Sequence, residues 1–365
     1  MNFKKHLLAA FAVVLFTSTS WAEDAGPCED SDHFFSVCEG SRLALAEKGV
    51  TFDIVYKGEW NRVVAGGVRK KDVYIENFDL KLSLDGEKLV GLPGSTLFIY
   101  GLGDRGSSEN NSPSNNAGDL QGLSNIETSE DKFILYELWY EQNLFGWLSL
   151  LGGLHDLNSD FYVTEASGLF FNSSFGIGNE LAQTGLNGPS IFPVTSTALR
   201  ARADIGNLFS LQAGAFNAQA GDPQHSQTTH IRSFGDDGTL FIAEFTYQPG
   251  DEDNRGKYTI GSWMYDRKFE HLLRNEYNKS HGTYFLINQT FAKDYSVFFR
   301  YGFTTTETNP VAANWSTGFV MNGPFASRPL DTCGIALTEV ILGDTFKDHL
   351  ALDGIEAADR ETVYE

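Results

Sequence analysis

Two carboxylates flank an indole in one short stretch of the chain. Glu137, Trp139 and Glu141 occupy alternate positions, so in an extended strand their side chains lie on one face. The other face of the same strand is predicted to be apolar and to carry Ile134, Tyr136, Leu138 and Tyr140. Carboxylates accept hydrogen bonds from sugar hydroxyls, and a flat indole packs against a sugar ring. The polar face is therefore a candidate carbohydrate-binding surface.

The same carboxylates suggest a glycoside hydrolase as an alternative. Glu137 and Glu141 are four strand positions apart, and a rise of about 3.3 Å per residue separates them by roughly 13 Å. Glycosidases hold their carboxyl groups about 5 to 9.5 Å apart, so these two fail as a pair, although either could pair with a distant residue. The sequence has no nucleophile elbow, phosphate-binding glycine loop or His-Glu-x-x-His motif. We predict no enzymatic activity, no cofactor and no metal site.

Guanidinium groups occupy the polar faces of two other predicted strands. Arg200 and Arg202 share a face with Asp204, and Arg300 lies on the polar face of a later strand. Together with opposing carboxylates they would bind sugar hydroxyls and create a transverse field that orients a hydrated solute. We predict that these residues line a solute pathway. The alternative is that they pair with neighbouring charges and only keep a pore wet.

A glycine-rich and aromatic segment could narrow that pathway. Residues Gly168–Gly178 contain too many glycines and phenylalanines for an ordinary strand, and they lie between two predicted strands. We predict a constriction loop folded into the lumen. Its candidate residues are Phe170, Phe171, Asn172 and Phe175. The alternative is a loop packed on the wall without solute contact.

The elements that must position these residues are predicted to be β-strands. Alternating segments of about ten residues match tilted strands that cross a bilayer. A soluble β-sandwich would also alternate, but its water-facing side rarely carries Trp139 and Trp263 beside charges. The fourteen predicted strands are Thr51–Trp60, Phe78–Asp85, Ser95–Gly103, Lys132–Gln142, Trp147–His155, Ala198–Asp204, Asn207–Asn217, Thr239–Tyr247, Lys257–Asp266, Gly282–Thr290, Ser296–Phe303, Asn314–Asn322, Gly334–Leu342 and one that begins at Arg360. Helical periodicity is predicted only at Ser41–Lys48 and around Phe269–Tyr277.

The N-terminus has the pattern of an export signal. Lys4 and Lys5 precede an apolar run, and the small residues Ser20 and Ala22 occupy the positions that signal peptidase recognises. Residues 1–22 are predicted to be a cleaved signal peptide, residues 23–48 a periplasmic segment with a short helix, and residues 49–365 a barrel. The apolar run is shorter than the about 20 residues of a transmembrane helix, so a mature chain in a membrane would cross it as a barrel.

Composition and charge restrict the partners. The chain has a formal net charge of −21, 37 glycines and only 3 cysteines, which favours an exported β protein over a disulfide-built scaffold. The charge argues against nucleic acid and anionic lipid headgroups as partners, because both bind basic patches. Acidic loops facing lipopolysaccharide could instead share divalent cations. Cys28 and Cys38 could form a disulfide in an oxidising periplasm, and Cys333 has no evident role.

Several motifs resemble the carbohydrate-selective porins of the OprB type from Gram-negative outer membranes. The resemblance is densest between Asp156 and Pro193 and includes Leu43–Phe52, Gly118–Glu127 and Leu135–Gln142. It implies a sixteen-stranded antiparallel barrel whose loop-narrowed, water-filled lumen passes monosaccharides such as glucose by passive, facilitated diffusion. It also implies an outer-membrane location, with sugars, membrane lipids and lipopolysaccharide as partners. A general, non-selective porin, a membrane-bound or secreted enzyme acting on glycans or lipids, and a monomer or trimer all stay open.

Two features depart from the family pattern. The segment after Cys38 lacks the Trp-Gly-Gly sequence that usually leads into the first helix, and the chain ends at Glu365, where the family continues with two more strands. We therefore expect about fourteen of sixteen strands in a C-terminally truncated barrel. A gap is expected between the strand near Thr51 and the strand near Arg360.

Overall fold

Fourteen antiparallel strands form one sheet in the computed structural model, which describes residues 39–108, 110–235, 237–251 and 253–365. Each strand pairs with the next along the chain, from β1 to β14. The strands are β1 Val50–Arg62, β2 Asp72–Asp85, β3 Ser95–Arg105, β4 Lys132–Leu144, β5 Leu148–His155, β6 Ser196–Ile205, β7 Phe209–Asn217, β8 Thr239–Tyr247, β9 Gly256–Glu270, β10 Tyr277–Phe291, β11 Tyr295–Thr304, β12 Val311–Asn322, β13 Thr332–Leu342 and β14 Arg360–Tyr364. All fourteen predicted strands are confirmed. The predicted signal peptide and the Cys28–Cys38 pair lie outside the described residues.

The helices are short and lie between strands or before β1. They are α1 Glu39–Glu47, α2 Gly86–Val90, α3 Pro113–Ala117, α4 Asn179–Ala182 and α5 Asp344–Leu352, with 3-10 turns at Leu157–Ser159, Ala166–Leu169 and Ser173–Phe175. The predicted helix near Ser41 corresponds to α1. The helical prediction around Phe269–Tyr277 is wrong, because this segment is the end of β9, a turn and the start of β10. In the described part of the chain, no helix has the length and apolarity needed to cross a bilayer.

The strands present apolar side chains on the outer face and both polar and apolar side chains on the inner face. In β8, for example, Phe241 and Phe245 are exposed on the outer face, whereas Ile242 and Glu244 are buried on the inner face. A wall with lipid on one side requires this alternation at every strand. It explains why period-two reasoning located the strands without other information.

A β-bulge in β4 shifts the predicted assignment of its faces. Tyr100 of β3 pairs with Glu137, but the next residue pairs with Leu135, so Tyr136 is an extra residue. Tyr136 and Ile134 are consequently buried on the inner side, and the prediction that they share the outer face is wrong. The residues after the bulge keep the predicted alternation.

The connection between β5 and β6, residues 156–195, folds inside the sheet and is called the inner loop below. Near its start, Phe161 packs with Phe216 of β7. Further along, Phe175 packs with Phe298 of β11 and Val320 of β12. Because one loop touches the inner faces of strands so far apart in the sheet, the sheet must curve around it.

The two ends of the sheet differ in their connections. At one end the connections are long: residues 106–131, the inner loop, 218–238 and 343–359. At the other end they include tight turns of three residues at 145–147, 206–208 and 292–294. Barrels of the outer membrane have long loops outside the cell and short turns in the periplasm, and this chain has the same asymmetry.

The first and last strands are linked by loop contacts on the inside of the sheet. Within the described residues, no backbone hydrogen bond joins β1 to β14. The 106–131 loop lies across this region: Ile126 packs against Val73 and Ile75 of β2. The backbone amide of Leu120 donates to the Glu361 carboxylate of β14 at 3.0 Å. The same loop therefore contacts both edges of the region.

Candidate functional site

Seven consecutive strands, β6 to β12, hold the inner loop with inward polar side chains, called anchors below. Six of the seven bind a peptide group of the loop, and Arg200 binds a carboxylate. The contacts are Arg200 to the Asp160 carboxylate at 3.0 Å, Gln212 to the Asp160 carbonyl at 2.8 Å, Glu244 to the Tyr162 amide at 2.7 Å, Lys257 to the Val163 carbonyl at 3.1 Å, Asn288 to the Ala166 amide at 2.9 Å, Arg300 to the Gly176 carbonyl at 2.9 Å and Asn314 to the Asn179 amide at 3.0 Å. These seven contacts fix the inner loop against the half of the wall that β6 to β12 form.

Arg300 lies beneath the inner loop. It is only 2% exposed and donates to the carbonyl oxygens of Phe175 and Gly176. Its guanidinium carbon also lies 4.8 Å from the centre of the Tyr162 ring. The sequence predicted that Arg300 contacts the solute. In the structure, its guanidinium group instead binds carbonyl groups of the inner loop.

The predicted constriction residues belong to the same packed region. Phe170 and Phe175 pack against each other and against Phe298 of the wall. Asn172 is fully buried, and its side-chain oxygen accepts the amide proton of Ser174. The amides of Phe171 and Asn172 donate to the Glu365 carboxylate at 2.8 and 2.7 Å. These side chains thus support the loop from the wall side.

An ion-pair chain, called the charge belt below, connects β4, β5, β6 and the inner loop. Its members are Glu137, His155, Asp160, Arg200 and Glu141. His155 lies 2.9 Å from Glu137 and 2.8 Å from Asp160 through its two ring nitrogens. Arg200 then donates to Asp160 at 3.0 Å and to Glu141 at 2.8 Å. Burial opposes ionisation of Asp160, but hydrogen bonds from His155 and the charge of Arg200 lower its pKa to about 2.

Sequence reasoning predicted three members of the charge belt and missed two. His155 is the last residue of a predicted strand, and Asp160 belongs to a loop whose path has no periodic signal. A histidine with a carboxylate at each ring nitrogen has the geometry of a doubly protonated imidazolium, which donates from both. Glu137 also accepts the amide proton of Asp156 at 2.7 Å. The belt is therefore a charge network in which two cations lie between three carboxylates.

The accessible charges lie at the end of the charge belt formed by Glu141 and beside it. Arg202 and Asp204 pair at 3.0 Å, with 41% and 51% of their side chains exposed, and Glu141 is 21% exposed. Trp139 stacks on Phe98 of β3 at a ring distance of 4.8 Å. The indole nitrogen of Trp139 has no hydrogen-bond partner among the described residues. This group combines a flat aromatic surface with donors and acceptors.

A second polar group faces inward from β1, β2 and β3. Lys57 pairs with Asp79 at 2.9 Å, and the Tyr100 hydroxyl donates to the same carboxylate at 2.7 Å. The Lys81 ammonium lies 4.8 Å from the centre of the Tyr100 ring. Asp79 and Lys81 occupy alternate positions of β2, so alternation is the sequence signal that could locate this polar wall.

Glu180 is a buried acid in α4 of the inner loop. Its Oε1 accepts the Tyr162 hydroxyl proton at 2.7 Å, while Oε2 has no hydrogen-bond partner in the described part of the chain. Gly302 provides the space, because a Cβ there would lie 1.9 Å from Oε1. Burial raises the pKa of Glu180 from 4.5 to about 7, against the opposing effect of the Tyr162 hydrogen bond.

We expect Glu180→Gln to remove a loss of stability at alkaline pH. An acid whose folded pKa is raised favours the neutral form, so the folded state loses stability as pH rises from about 4.5 through about 7. Over this pH range the free energy of unfolding should fall by about 3 kcal/mol in total. Thermal unfolding at pH 5 and pH 8 measures it: the wild type should lose more stability than Glu180→Gln. The exposed loop residue Glu165, changed to Gln, is the control. Equal losses in all three proteins contradict the prediction.

The described residues contain no group of three or more His, Cys, Asp and Glu side chains that could hold a metal ion. Cys333 is exposed and unpaired among the described cysteines. The functional geometry of this part of the chain therefore consists of hydrogen-bonding, charged and aromatic groups around an inner loop.

Comparison with known proteins agrees with this architecture. The family described as "Carbohydrate-selective porin, OprB family" matches residues 69–365. Porin B of Pseudomonas aeruginosa is 24% identical over 339 residues, which cover 84% of this chain and 73% of that protein.

Solved structures show the same fold. The high-pH structure of Pseudomonas putida OprB has a TM-score of 0.74 at 22% identity and covers 88% of this chain and 83% of that one. The low-pH structure of the same protein has a TM-score of 0.53 at 18% identity, with coverages of 86% and 84%. The family match extends over most of the chain. The chain belongs to the OprB family of carbohydrate-selective porins, which are outer-membrane proteins of Gram-negative bacteria.

Proposed function

We propose that the chain is a channel for passive, facilitated diffusion of monosaccharides such as glucose into the periplasm. The solute passes between the inner loop and the wall built by β1 to β6. One observation carries this proposal: the Trp139–Phe98 stack lies on the same inner wall as accessible Glu141, Arg202 and Asp204. Sugars need a flat apolar surface with hydroxyl-binding groups beside it.

The opposite half of the interior is unsuited to the solute, because the inner loop fills it. The anchors from β7 to β12 engage loop peptide groups. Arg300 and Glu244 are buried there, and the aromatic residues Phe170 and Phe175 pack into the wall. In this proposal the loop narrows the lumen from one side, and selectivity arises at its free margin and on the facing strands. The charge belt joins these two sides.

The proposed transport has no covalent step. Glu137, one of the two carboxylates considered for hydrolysis, is buried and accepts hydrogen bonds from His155 and the Asp156 amide. Glu141 accepts from Arg200 and Ser149. A buried Glu137, and a Glu141 whose Oε1 already accepts two hydrogen bonds, suit a fixed electrostatic wall better than a pair that must exchange protons with substrate.

Single-channel recording of the refolded full chain in planar bilayers tests the proposal. Glucose, a disaccharide and an amino acid are each titrated while conductance is followed. We expect saturable block by glucose at concentrations where the other two have little effect. Equal effects of all three solutes support a general porin instead. A folded protein without conductance rules out a channel.

We expect Trp139→Ala to weaken sugar block while conductance persists. Loss of an aromatic stacking surface removes about 0.5–1.5 kcal/mol of contact energy, which lowers affinity by a factor of roughly 2 to 10. Trp60→Ala is the matched control, since Trp60 is an exposed tryptophan on the outer face of β1. Glucose titration of both variants gives the answer. Unchanged block in Trp139→Ala removes the stacking role from this indole.

A further inference from the structure

The turn between β1 and β2 carries the opposite charge to the four long extracellular connections. Residues 62–71 contain Arg62, Arg69, Lys70 and Lys71 and no acidic residue. Each of the four long connections at the same end, residues 106–131, 156–195, 218–238 and 343–359, has more acidic than basic residues. In a chain of net charge −21, this connection is thus a basic segment beside acidic loops.

Register places two of the cations on the membrane side of the wall. Val73 and Ile75 of β2 point inward and pack against Ile126 of the 106–131 loop, so the alternate residues of β2 point outward. Arg62 of β1 pairs with outward Asp72, and Arg105 of β3 pairs with outward Glu76. Cross-strand partners point to the same face of a sheet.

Exposed aromatic residues lie directly below these cations. Trp60 is the cross-strand partner of Tyr74, and Tyr56 hydrogen-bonds both Tyr74 at 2.9 Å and Glu76 at 2.6 Å. All three aromatic side chains are exposed on the outer face. Aromatic residues at this position mark the boundary between acyl chains and headgroups. The basic rim therefore lies at the level of the headgroups.

The basic turn is held in place by the protein. The amides of Val68 and Arg69 both donate to the carbonyl of Asn116 at 2.9 Å, and Asn116 is almost fully buried. The Arg69 guanidinium donates to the carbonyl of Asn110 at 2.6 Å. Arg62 pairs with Asp72 at 3.4 Å, whereas Lys70, Lys71 and Arg105 form no ion pair with any described residue. Arg69, Lys70 and Lys71 are thus presented on a fixed turn, Arg105 lies beside them at the end of β3, and the charges of Lys70, Lys71 and Arg105 are uncompensated.

We propose that this basic rim, formed by Arg62, Arg69, Lys70, Lys71 and Arg105, binds the phosphate groups of lipopolysaccharide in the outer leaflet. Phosphorylated glycolipid is the anionic headgroup that an outward surface at this depth meets on the outer side of an outer membrane. Guanidinium groups bind phosphate oxygens in a bidentate manner, and ammonium groups add point charges. The overall acidity of the chain, which argued against anionic lipids, is reversed locally at this rim.

Binding of purified rough-type lipopolysaccharide to the detergent-solubilised full chain tests the proposal. The triple variant Arg69→Gln, Lys70→Gln, Lys71→Gln should bind more weakly, by roughly fivefold for each cationic side chain removed. The control is Lys268→Gln, Arg274→Gln, Lys279→Gln, which removes three exposed cations from the β9–β10 region of the same rim. Its affinity should stay close to that of the wild type.

A second measurement on the wild type keeps the proposal testable if a variant folds poorly. Chemically dephosphorylated lipopolysaccharide should bind much less tightly than the intact molecule, and inorganic phosphate at high concentration should compete. Equal binding of the intact and dephosphorylated molecules overturns the proposal, because acyl chains alone would then explain the contact. Equal weakening in the two triple variants also overturns it, since any rim cation would serve.

Discussion

Replacing Arg300 with methionine is expected to widen the channel by loosening the inner loop. Arg300 supplies donors to the carbonyl oxygens of Phe175 and Gly176 from a fully enclosed position. Methionine has a similar length but no donor. The Phe175 carbonyl then has no partner among the described residues, which costs about 1–3 kcal/mol, and the Gly176 carbonyl keeps only the amide of Asn158 at 3.3 Å, so this part of the loop can leave the wall. Single-channel conductance should rise, and amides of residues 173–179 should exchange hydrogen faster.

The conservative variant Arg300→Lys separates this role from simple packing. Lysine retains a charged donor but lacks the planar fork that reaches two carbonyls at once, so an intermediate conductance is expected. The exposed residue Arg328, changed to methionine in the turn between β12 and β13, is the control and should leave conductance unchanged. If Arg300→Met conducts and exchanges like the wild type, the loop is held by its other contacts.

Replacing Arg200 with glutamine is expected to have the second large effect, on both stability and ion selectivity. Arg200 neutralises Asp160 and Glu141 in the charge belt. Removal of one partner from a buried ion pair costs about 3–5 kcal/mol, because the remaining charges lose their compensation. The lumen also gains net negative charge, so the channel should favour cations more strongly. Unfolding in denaturant and reversal potentials in a KCl gradient measure the two consequences.

Two further variants show whether the effect of Arg200→Gln comes from the charge belt or from the loss of any lumen cation. The double change Arg200→Gln, Glu141→Gln restores the charge balance and should recover much of the selectivity. Arg202→Gln removes a cation from an exposed pair with Asp204, which contributes no more than about 1 kcal/mol; it should shift selectivity without much loss of stability. Equal destabilisation by Arg200→Gln and Arg202→Gln contradicts a special role for the belt.

The strands could be predicted from sequence because lipid imposes the same requirement on each of them. Outer positions such as Phe241 and Phe285 must be apolar, whereas inner positions need not be. The same alternation of side chains therefore recurs in each of the fourteen strands. This rule is local, and it fails where pairing becomes irregular. In β4 the extra residue Tyr136 exchanges the faces, and nothing in the composition of β4 indicates a bulge.

The site was less predictable because its key contacts join residues distant in sequence. Trp139, Arg202 and Asp204 were found because they alternate within their own strands. The anchor Asn288, by contrast, binds the amide of Ala166, 122 residues away, and a peptide group has no residue type for a motif to specify. His155 lacked a recognised role for the same reason, since Asp160 is positioned only when the loop folds inward.

The anchors also determine how freely the inner loop can vary. Six of them bind peptide groups, as Asn314 does with the amide of Asn179, and a peptide group is present whatever side chain the loop residue carries. Loop side chains such as Glu165 can therefore diversify during evolution, or in an engineered library, while the loop keeps its path. The wall residues have no such freedom. A pore of this design can acquire new solute preferences by changing the side chains of its loop while the anchors on the strands keep the path of the loop.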